Sequence, residues 1–181
     1  MSRTPIAPDG VPHFSADPSQ PFYFYTDWPS NFDRRHPLYL PSPVPPPQPA
    51  FAAVPLRYAS GEHWLHCNKG RTWEEHERIR RAATPYEAKQ LGGAGQLPLD
   101  LDEIRAWDAR RYGVMVIGLR AKAAQNPGVL RALLATGERL IAEDSPTDDI
   151  WGIRDRAGGM TGMNLLGKAW MQVRAELRVT S

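Results

Sequence analysis

Eight of the nineteen residues from Pro37 to Pro55 are proline, and this density limits what the chain can fold into more than any other feature. Each proline holds its φ near the helical value but lacks a backbone donor, so such a run neither continues a helix nor supplies a central strand. The segment reads as an extended surface loop of polyproline character. It separates an aromatic, strand-forming stretch from a strongly helical one. Ahead of it, residues 1–21 are rich in Pro, Ser and Asp without apolar periodicity, which predicts a mobile tail carrying no chemistry. Phe22-Tyr23-Phe24-Tyr25 predicts a short buried strand, and Trp28-Pro29-Ser30-Asn31 a tight loop after it. With 181 residues, 41% hydrophobic content and six Trp, the rest suits one globular domain with a substantial core.

Beyond the prolines, helix signals dominate. Thr72-Trp73-Glu74-Glu75 has capping-box spacing, and so does Thr84-Pro85-Tyr86-Glu87, with proline at the first helical position and Gly92-Gly93 as the stop. Leu101 to Asp108 predicts a further helix, followed by an apolar stripe of Tyr112, Met115, Val116, Leu119 and Ala123. Asn126-Pro127-Gly128 breaks that pattern, and Val129, Leu130, Leu133 and Leu134 form the next stripe, closed by Thr136-Gly137. Residues 139–143 read as a strand. A glycine-rich loop, Gly158-Gly159-Met160-Thr161-Gly162, runs into a last helix starting at Asn164, whose Leu166, Trp170, Val173 and Leu177 face the core. Free N–H groups at the amino end of that helix would favour an anion, with glycines allowing close approach; the other reading is that these glycines only turn the chain.

The candidate chemistry is concentrated in Tyr58-Ala59-Ser60-Gly61-Glu62-His63-Trp64-Leu65-His66-Cys67-Asn68-Lys69. At 100° per residue Glu62, Leu65, His66 and Lys69 share a third of the helical wheel, so an acid, an imidazole and an amine can occupy one face. Ser60 is placed to cap the helix, and Glu62 then lies in the first turn, where the dipole favours its ionised form. The competing reading is a solvated, salt-bridged helix face.

Several chemistries are not supported. His63, His66 and Cys67 project on diverging faces with no second ligand cluster, so no metal and no cofactor are expected. The glycines match neither a Walker loop nor a dinucleotide-binding fingerprint. Cys67 is the single cysteine, which excludes an internal disulfide, and a helical Cys reads as a packing residue before a nucleophile. A net charge of +2 announces no nucleic-acid or membrane surface, no apolar run approaches membrane-spanning length, and the absence of a signal-peptide core suggests a cytoplasmic protein.

Four blocks carry a resemblance: Trp28-Pro29-Ser30-Asn31-Phe32, the stretch from Tyr58 to Lys69, Asp148-Asp149-Ile150-Trp151-Gly152, and Gly162-Met163-Asn164-Leu165-Leu166-Gly167. In this order, over roughly residues 22–178, they resemble the YbiA-like family, also called NADAR, for NAD and ADP-ribose associated. The resemblance implies an N-glycosidase that cleaves a bond between a ribose anomeric carbon and a base nitrogen. Such a reaction builds oxocarbenium character on the sugar, so it needs a carboxylate, help for the leaving base and anchors for phosphates. By position in the family pattern, Glu62 and Asp148 match acidic residues and Lys69 the lysine ending the first long block. Asn31 resembles a ligand-contacting residue, although an Asx-type turn explains it equally well. Trp107 and Trp151 match aromatic positions suited to stacking a base. His63, Gly152, Gly162 and Asn164 fall in the matching blocks and are carried as binding positions. Two roles stay open for Lys69: an electrostatic anchor for phosphate or Glu62, or an amine attacking the anomeric carbon. The chain departs from its relatives in the density of prolines before Glu62, and in Arg154 and Arg156 after Trp151-Gly152, where many relatives have glycines. The arginines suit a diphosphate.

The expected fold is mainly α: a single multihelical domain over 22–181 with one small sheet built from the aromatic run, the segment before Glu62 and residues 139–143. The expected activity is removal of ADP-ribose from guanine, on free nucleotide, RNA or DNA. The alternative substrates are phosphorylated riboflavin-pathway intermediates. A reading of another class is a non-catalytic module binding ADP-ribose or NAD. The proline segment reads as a spacer, with a protein-partner role as the lesser alternative.

Overall fold

The computed structural model describes residues 19–156 and 159–179, and it is mainly helical. Most of the predicted tail, and Gly158 of the glycine-rich stretch, lie outside the described residues. Two compact units divide the chain: residues 31–125, and residues 1–30 with 126–181. Among the described residues, no helix is long and apolar enough to cross a membrane.

In the unit of residues 31–125, strands β2 (Leu38–Leu40) and β3 (Leu56–Tyr58) lead into helices α1 (Gly61–Cys67), α2 (Trp73–Arg80), α3 (Pro85–Leu91) and α4 (Leu101–Gln125). Here the proline segment departs from expectation. Its first part forms β2, which pairs antiparallel with β3, Tyr39 opposite Arg57, and Pro49–Phe51 makes a single 3-10 turn between them. The reason is local: Leu38-Tyr39-Leu40 is the one strand-forming triplet in the segment free of proline, and Leu38 is buried. The outward edge of β2 is closed by a side chain. Gln125 Nε2 donates to the Tyr39 carbonyl at 2.8 Å, and the Tyr39 N–H donates to Gln125 Oε1 at 2.9 Å, which removes the unpaired groups an edge strand otherwise presents.

The helix expected over Leu101–Asp108 and the apolar stripe after it form one element; α4 is one helix of 25 residues. No proline interrupts it, and Asp100 starts it by accepting from the N–H groups of Asp102 and Glu103 while Glu103 Oε2 accepts from the Asp100 N–H. Its second half buries Val114, Met115, Val116, Gly118, Leu119 and residues 121–123, with Ile117 and Arg120 outward, and its first half is largely exposed. Trp64 Nε1 donates to the Val114 carbonyl at 2.8 Å, tying α1 to the middle of α4. Tyr58 packs edge-on against both Trp64 and His76, and its hydroxyl meets His76 Nε2 at 3.0 Å. The predicted capping box at Thr72 is complete. At Thr84 the hydroxyl caps α3, but Glu87 reaches the Ala83 N–H instead of its own cap residue.

In the flanking unit, β1 (Phe22–Phe24) pairs parallel with β4 (Ile141–Glu143), helix α5 spans Pro127–Ala135 and α6 spans Leu165–Val179. The Trp28 ring meets that of Trp170 edge-on at 5.1 Å, and Trp170 Nε1 donates to the Pro29 carbonyl at 2.8 Å. Strands β5 (Arg154–Arg156) and β6 (Gly159–Thr161) form an antiparallel hairpin, so part of the expected glycine-rich loop is strand. Among the described residues the single expected sheet is therefore three two-stranded sheets, because the segment before Glu62 pairs with the proline segment and not with the aromatic run.

Candidate functional site

Helix α1 is seven residues long and every one of them is buried. So short a helix is marginal alone and stands by tertiary packing; here α2, α3 and α4 all pack on it. That overturns the solvated-face alternative. Glu62 and His66 place a carboxylate and an imidazole one turn apart inside the protein, with Glu62 Oε2 3.0 Å from His66 Nε2 and both side chains less than a tenth exposed. The contact has ion-pair distance without hydrogen-bond alignment, so Glu62 Oε2 remains buried and unsatisfied among the described residues; the other ring nitrogen, His66 Nδ1, is buried and unsatisfied as well.

A third unsatisfied atom lies beside them. Asn31 accepts the Glu62 N–H on its backbone carbonyl at 3.0 Å, and its side-chain Nδ2 points to Met115 Sδ at 3.4 Å, which leaves buried Oδ1 without a partner. Only a glycine at 61 allows this approach, since a Cβ there would collide with Asn31 Oδ1. Each such atom costs about 1–3 kcal/mol when buried unpaired, and in native proteins this calls for a functional or solvent partner. The one other unsatisfied side-chain atom in this unit, His76 Nδ1, has Glu77 Oε1 at 3.4 Å.

His63 belongs to the framework and not to the contact surface. It is fully buried, with Nδ1 2.8 Å from Ser60 Oγ and Nε2 3.1 Å from the Ala82 carbonyl. A carbonyl only accepts, so Nε2 carries the proton and Nδ1 takes the serine hydroxyl. Burial holds its pKa below the ordinary value, with the Ala82 bond opposing, and the neutral ring suits this arrangement. Cys67 is packing: it has no exposed surface, burial pushes its thiol well up, and Sγ points to the His76 carbonyl.

Lys69 follows the end of α1 and is half-buried. Its Nζ donates to the Gly92 carbonyl at 3.2 Å and stands 5.3 Å from the centre of the Trp107 ring. Burial lowers its pKa, and the Glu62 carboxylate is the main opposing influence. Gly92 serves twice. Its carbonyl holds Lys69, and a Cβ at 92 would fall 2.6 Å from His66 Nδ1, so its bareness lets the imidazole sit where it does. A cleft of about 130 Å³ opens beside Lys69, lined also by Arg71, Glu103, Trp107 and Arg110; Glu62 is not part of its wall.

The remaining candidates lie in the flanking unit, where they shape backbone. Asp148 Oδ1 accepts from the N–H groups of Ile150 and Trp151, both at 2.9 Å, which closes an Asx-type turn. Arg154 is paired with Asp149 and also reaches the Pro146 carbonyl. Half-buried Trp151 takes the Leu166 N–H on its carbonyl, and Gly152 takes the Asn164 N–H. Gly162 has φ 127, and Asn164 sits at φ 51 with its amide bridging the Ile141 carbonyl and the Glu143 N–H of β4. The anion site expected at the start of α6 is corrected here: the N–H groups of Met163, Asn164, Leu165 and Leu166 already donate to the carbonyls of Asp149, Gly152, Ile150 and Trp151. Arg156 has no described side chain.

The sequence placed His66 on the face of Glu62 and Lys69 without a role of its own, and Gly92 and Arg110 were not singled out as site residues. His66 was readable from its four-residue spacing to Glu62, and Arg110 from its three-residue spacing to Trp107; nothing local marks Gly92 beyond its place as a helix stop.

The sequence and the fold have counterparts in known proteins. An N-glycosidase of Nostoc punctiforme is 37% identical over 100 residues, covering 55% of this chain and 60% of its own length. The N-glycosidase YbiA of Escherichia coli K12 is 30% identical over 134 residues, covering 71% of this chain and 79% of its own. The NMR structure of E. coli YbiA superposes with a TM-score of 0.68 at 26% identity, over 90% of this chain and 87% of that one. The alignment thus spans less than two thirds of the Nostoc protein's length. The NADAR domain pattern matches residues 14–178, nearly the whole sequence, and the chain belongs to the NADAR family.

Proposed function

We propose that this protein is an N-glycosidase that removes ADP-ribose from guanine by hydrolysing the bond between the anomeric carbon and the base nitrogen. The observation that carries this reading is the buried Glu62–His66 pair with its unsatisfied carboxylate oxygen, held beside Lys69 by Gly92. As the C–N bond breaks, its electron pair leaves with the base nitrogen and positive charge grows on the sugar. A carboxylate with one oxygen free of hydrogen bonds, inside the protein, stabilises that charge more strongly than one in water. Water then adds to the anomeric carbon, its proton passes to the Glu62–His66 pair, and the pair returns a proton to the departed base nitrogen, which leaves as the neutral base. Asn31 Oδ1 is a further acceptor for a ribose hydroxyl. Burial disfavours the charge on Lys69, while the Glu62 carboxylate, the Gly92 carbonyl and the Trp107 face oppose that; in this reading Lys69 serves as an ammonium.

The relatives named N-glycosidase support the reaction class, and the cations and indole beside Lys69 support a nucleotide-sized, phosphorylated substrate. Incubation with guanine-ADP-ribosylated oligonucleotide, followed by chromatography of released ADP-ribose, tests the reading. Release that Glu62→Gln abolishes is the expected result. No release from this substrate, with release from a phosphorylated ribosyl-pyrimidine, replaces guanine as the leaving base; release from neither overturns the glycosidase reading.

A further inference from the structure

Lys122 sits in the buried half of α4, and its Nζ stands 3.5 Å from Asp33 Oδ2, with 1% and 2% of the two side chains exposed. Nothing in the chemistry above uses either group. Stability alone is no reason to keep such a pair, because desolvating two charges costs about as much as their attraction returns, and apolar replacements are often neutral or stabilising. Its place in the unit of residues 31–125 is informative. Asp33 follows Asn31 by two residues, and its carboxylate also accepts from the Arg35 N–H at 3.1 Å and from Arg35 Nε at 2.8 Å and meets His36 Nδ1 at 2.5 Å, which closes the turn of residues 33–36. Met115 lies seven residues before Lys122, two turns back on the same face of α4 and about 10 Å along its axis. Asn31 Nδ2 donates to Met115 Sδ at 3.4 Å.

The loop that begins at Asn31 is therefore tied to α4 at two points. The contact to Met115 sets which way the Asn31 amide turns, and the ion pair to Lys122 sets how close the loop lies. Both bear on Glu62: the Asn31 carbonyl accepts the Glu62 N–H at 3.0 Å, and Asn31 Oδ1 lies against bare Gly61, buried and without a partner. A thioether is a weak acceptor, so the Met115 contact offsets little of what an unpartnered buried oxygen costs. Left to that contact, the loop would turn Oδ1 to water. We propose that Asp33 and Lys122 are positioning residues: their buried ion pair clamps the Asn31 loop onto α4 and keeps Asn31 aimed at the Glu62 site before substrate binds. The inference rests on the glycosidase reading, in which Asn31 Oδ1 takes a ribose hydroxyl, and adds what holds that acceptor in place. An acceptor fixed ahead of binding needs no reordering during the reaction.

The paired substitution Asp33→Asn with Lys122→Met tests the clamp, because it removes both charges together, keeps an acceptor for the Arg35 N–H and leaves neither charge of the pair buried alone. Measured with the ribosyl substrate that wild type turns over, kcat/KM should fall by at least ~10-fold. In an Asn31→Ala background the loss from the same two substitutions should shrink by about threefold or more, because the side chain that the clamp aims is already gone. Hydrogen exchange reads the clamp without turnover: the Glu62 amide should exchange at least ~10-fold faster, while the His76 amide, bonded to the Thr72 carbonyl, keeps its wild-type rate. A smaller fall in kcat/KM, a loss that shrinks less with Asn31→Ala, or equal acceleration at Glu62 and His76 overturns the clamp, the last two marking a general loosening of the unit. Should the paired variant not fold, Asp33→Glu, which keeps the charge but displaces it by one methylene, is read through the same cycle and the same exchange measurement. A wild-type protein that turns over neither the guanine adduct nor a ribosyl-pyrimidine removes the glycosidase reading, while selective acceleration at Glu62 still supports the clamp. Unchanged Glu62 exchange overturns the clamp whatever the turnover.

Discussion

Glu62 Oε2 and His66 Nε2 lie 3.0 Å apart on a helix with no exposed residue. Two groups that can carry charge occur there without an alternative partner for the carboxylate oxygen, so the pair is costly to folding and useful to chemistry. Glu62→Gln keeps the volume and helix compatibility while removing the charge. Turnover should fall by at least ~100-fold with the fold intact. Near-normal kcat in a protein with wild-type circular dichroism would remove Glu62 from the mechanism.

Gly92→Ala tests how the site is assembled. The added methyl meets His66 Nδ1 at 2.6 Å, so either the imidazole turns away from Glu62 or the α3 end shifts and takes the carbonyl from Lys69. Overpacking of this kind costs roughly 1–3 kcal/mol. Chemical denaturation should show that loss and initial rates a drop of tenfold or more. Unchanged stability and activity together would show that His66 has room to spare.

The chemical role of Lys69 is read by trapping. An attacking amine opens the ribose and forms an imine, which borohydride reduces to a stable adduct bearing the sugar's mass. With Lys69 acting as an ammonium, mass spectrometry after borohydride treatment during turnover should find no adduct, and Lys69→Arg should retain measurable activity. A reduced adduct on Lys69 would assign it as the nucleophile.

Acid should weaken the unit of residues 31–125 through Asp33. Burial pushes this carboxyl up, but Lys122 at 3.5 Å together with His36 and Arg35 outweighs burial and holds it at about 2, against an unperturbed 3.8. A depressed acid contributes stability that is complete above its unfolded value and is lost as pH falls through the folded one. The contribution is on the order of 2 kcal/mol, and it should disappear between about pH 4 and pH 2. Asp33→Asn should lower stability at pH 7 and flatten the decline below pH 4 in urea titrations at stepped pH. A wild-type slope in the variant would assign acid sensitivity to other carboxyls.

Hydrogen bonds that close within four residues are written in neighbouring letters. For that reason the caps at Ser60, Thr72 and Thr84, the Glu62–His66 spacing and the stripe of α6 are all readable before any coordinates exist. The extent of α4 was not, since periodicity marks the buried second half while the exposed first half carries no stripe to join to it. Strand partners were misassigned for a related reason: three-residue strands state a preference for extension but not for a neighbour, so β3 paired with the proline segment. The free anion site at α6 vanished because carbonyls from residues 149–152, distant from the helix letters, consume its N–H groups. Lys69 meets Trp107 and Gly92 across gaps of 38 and 23 residues. Sequence by itself therefore determined which groups share a turn of α1 and the family the chain resembles. Tertiary packing determined that this turn is buried, which polar atoms go without partners and which cation faces which ring, because those depend on close approaches between segments whose separation no local periodicity encodes.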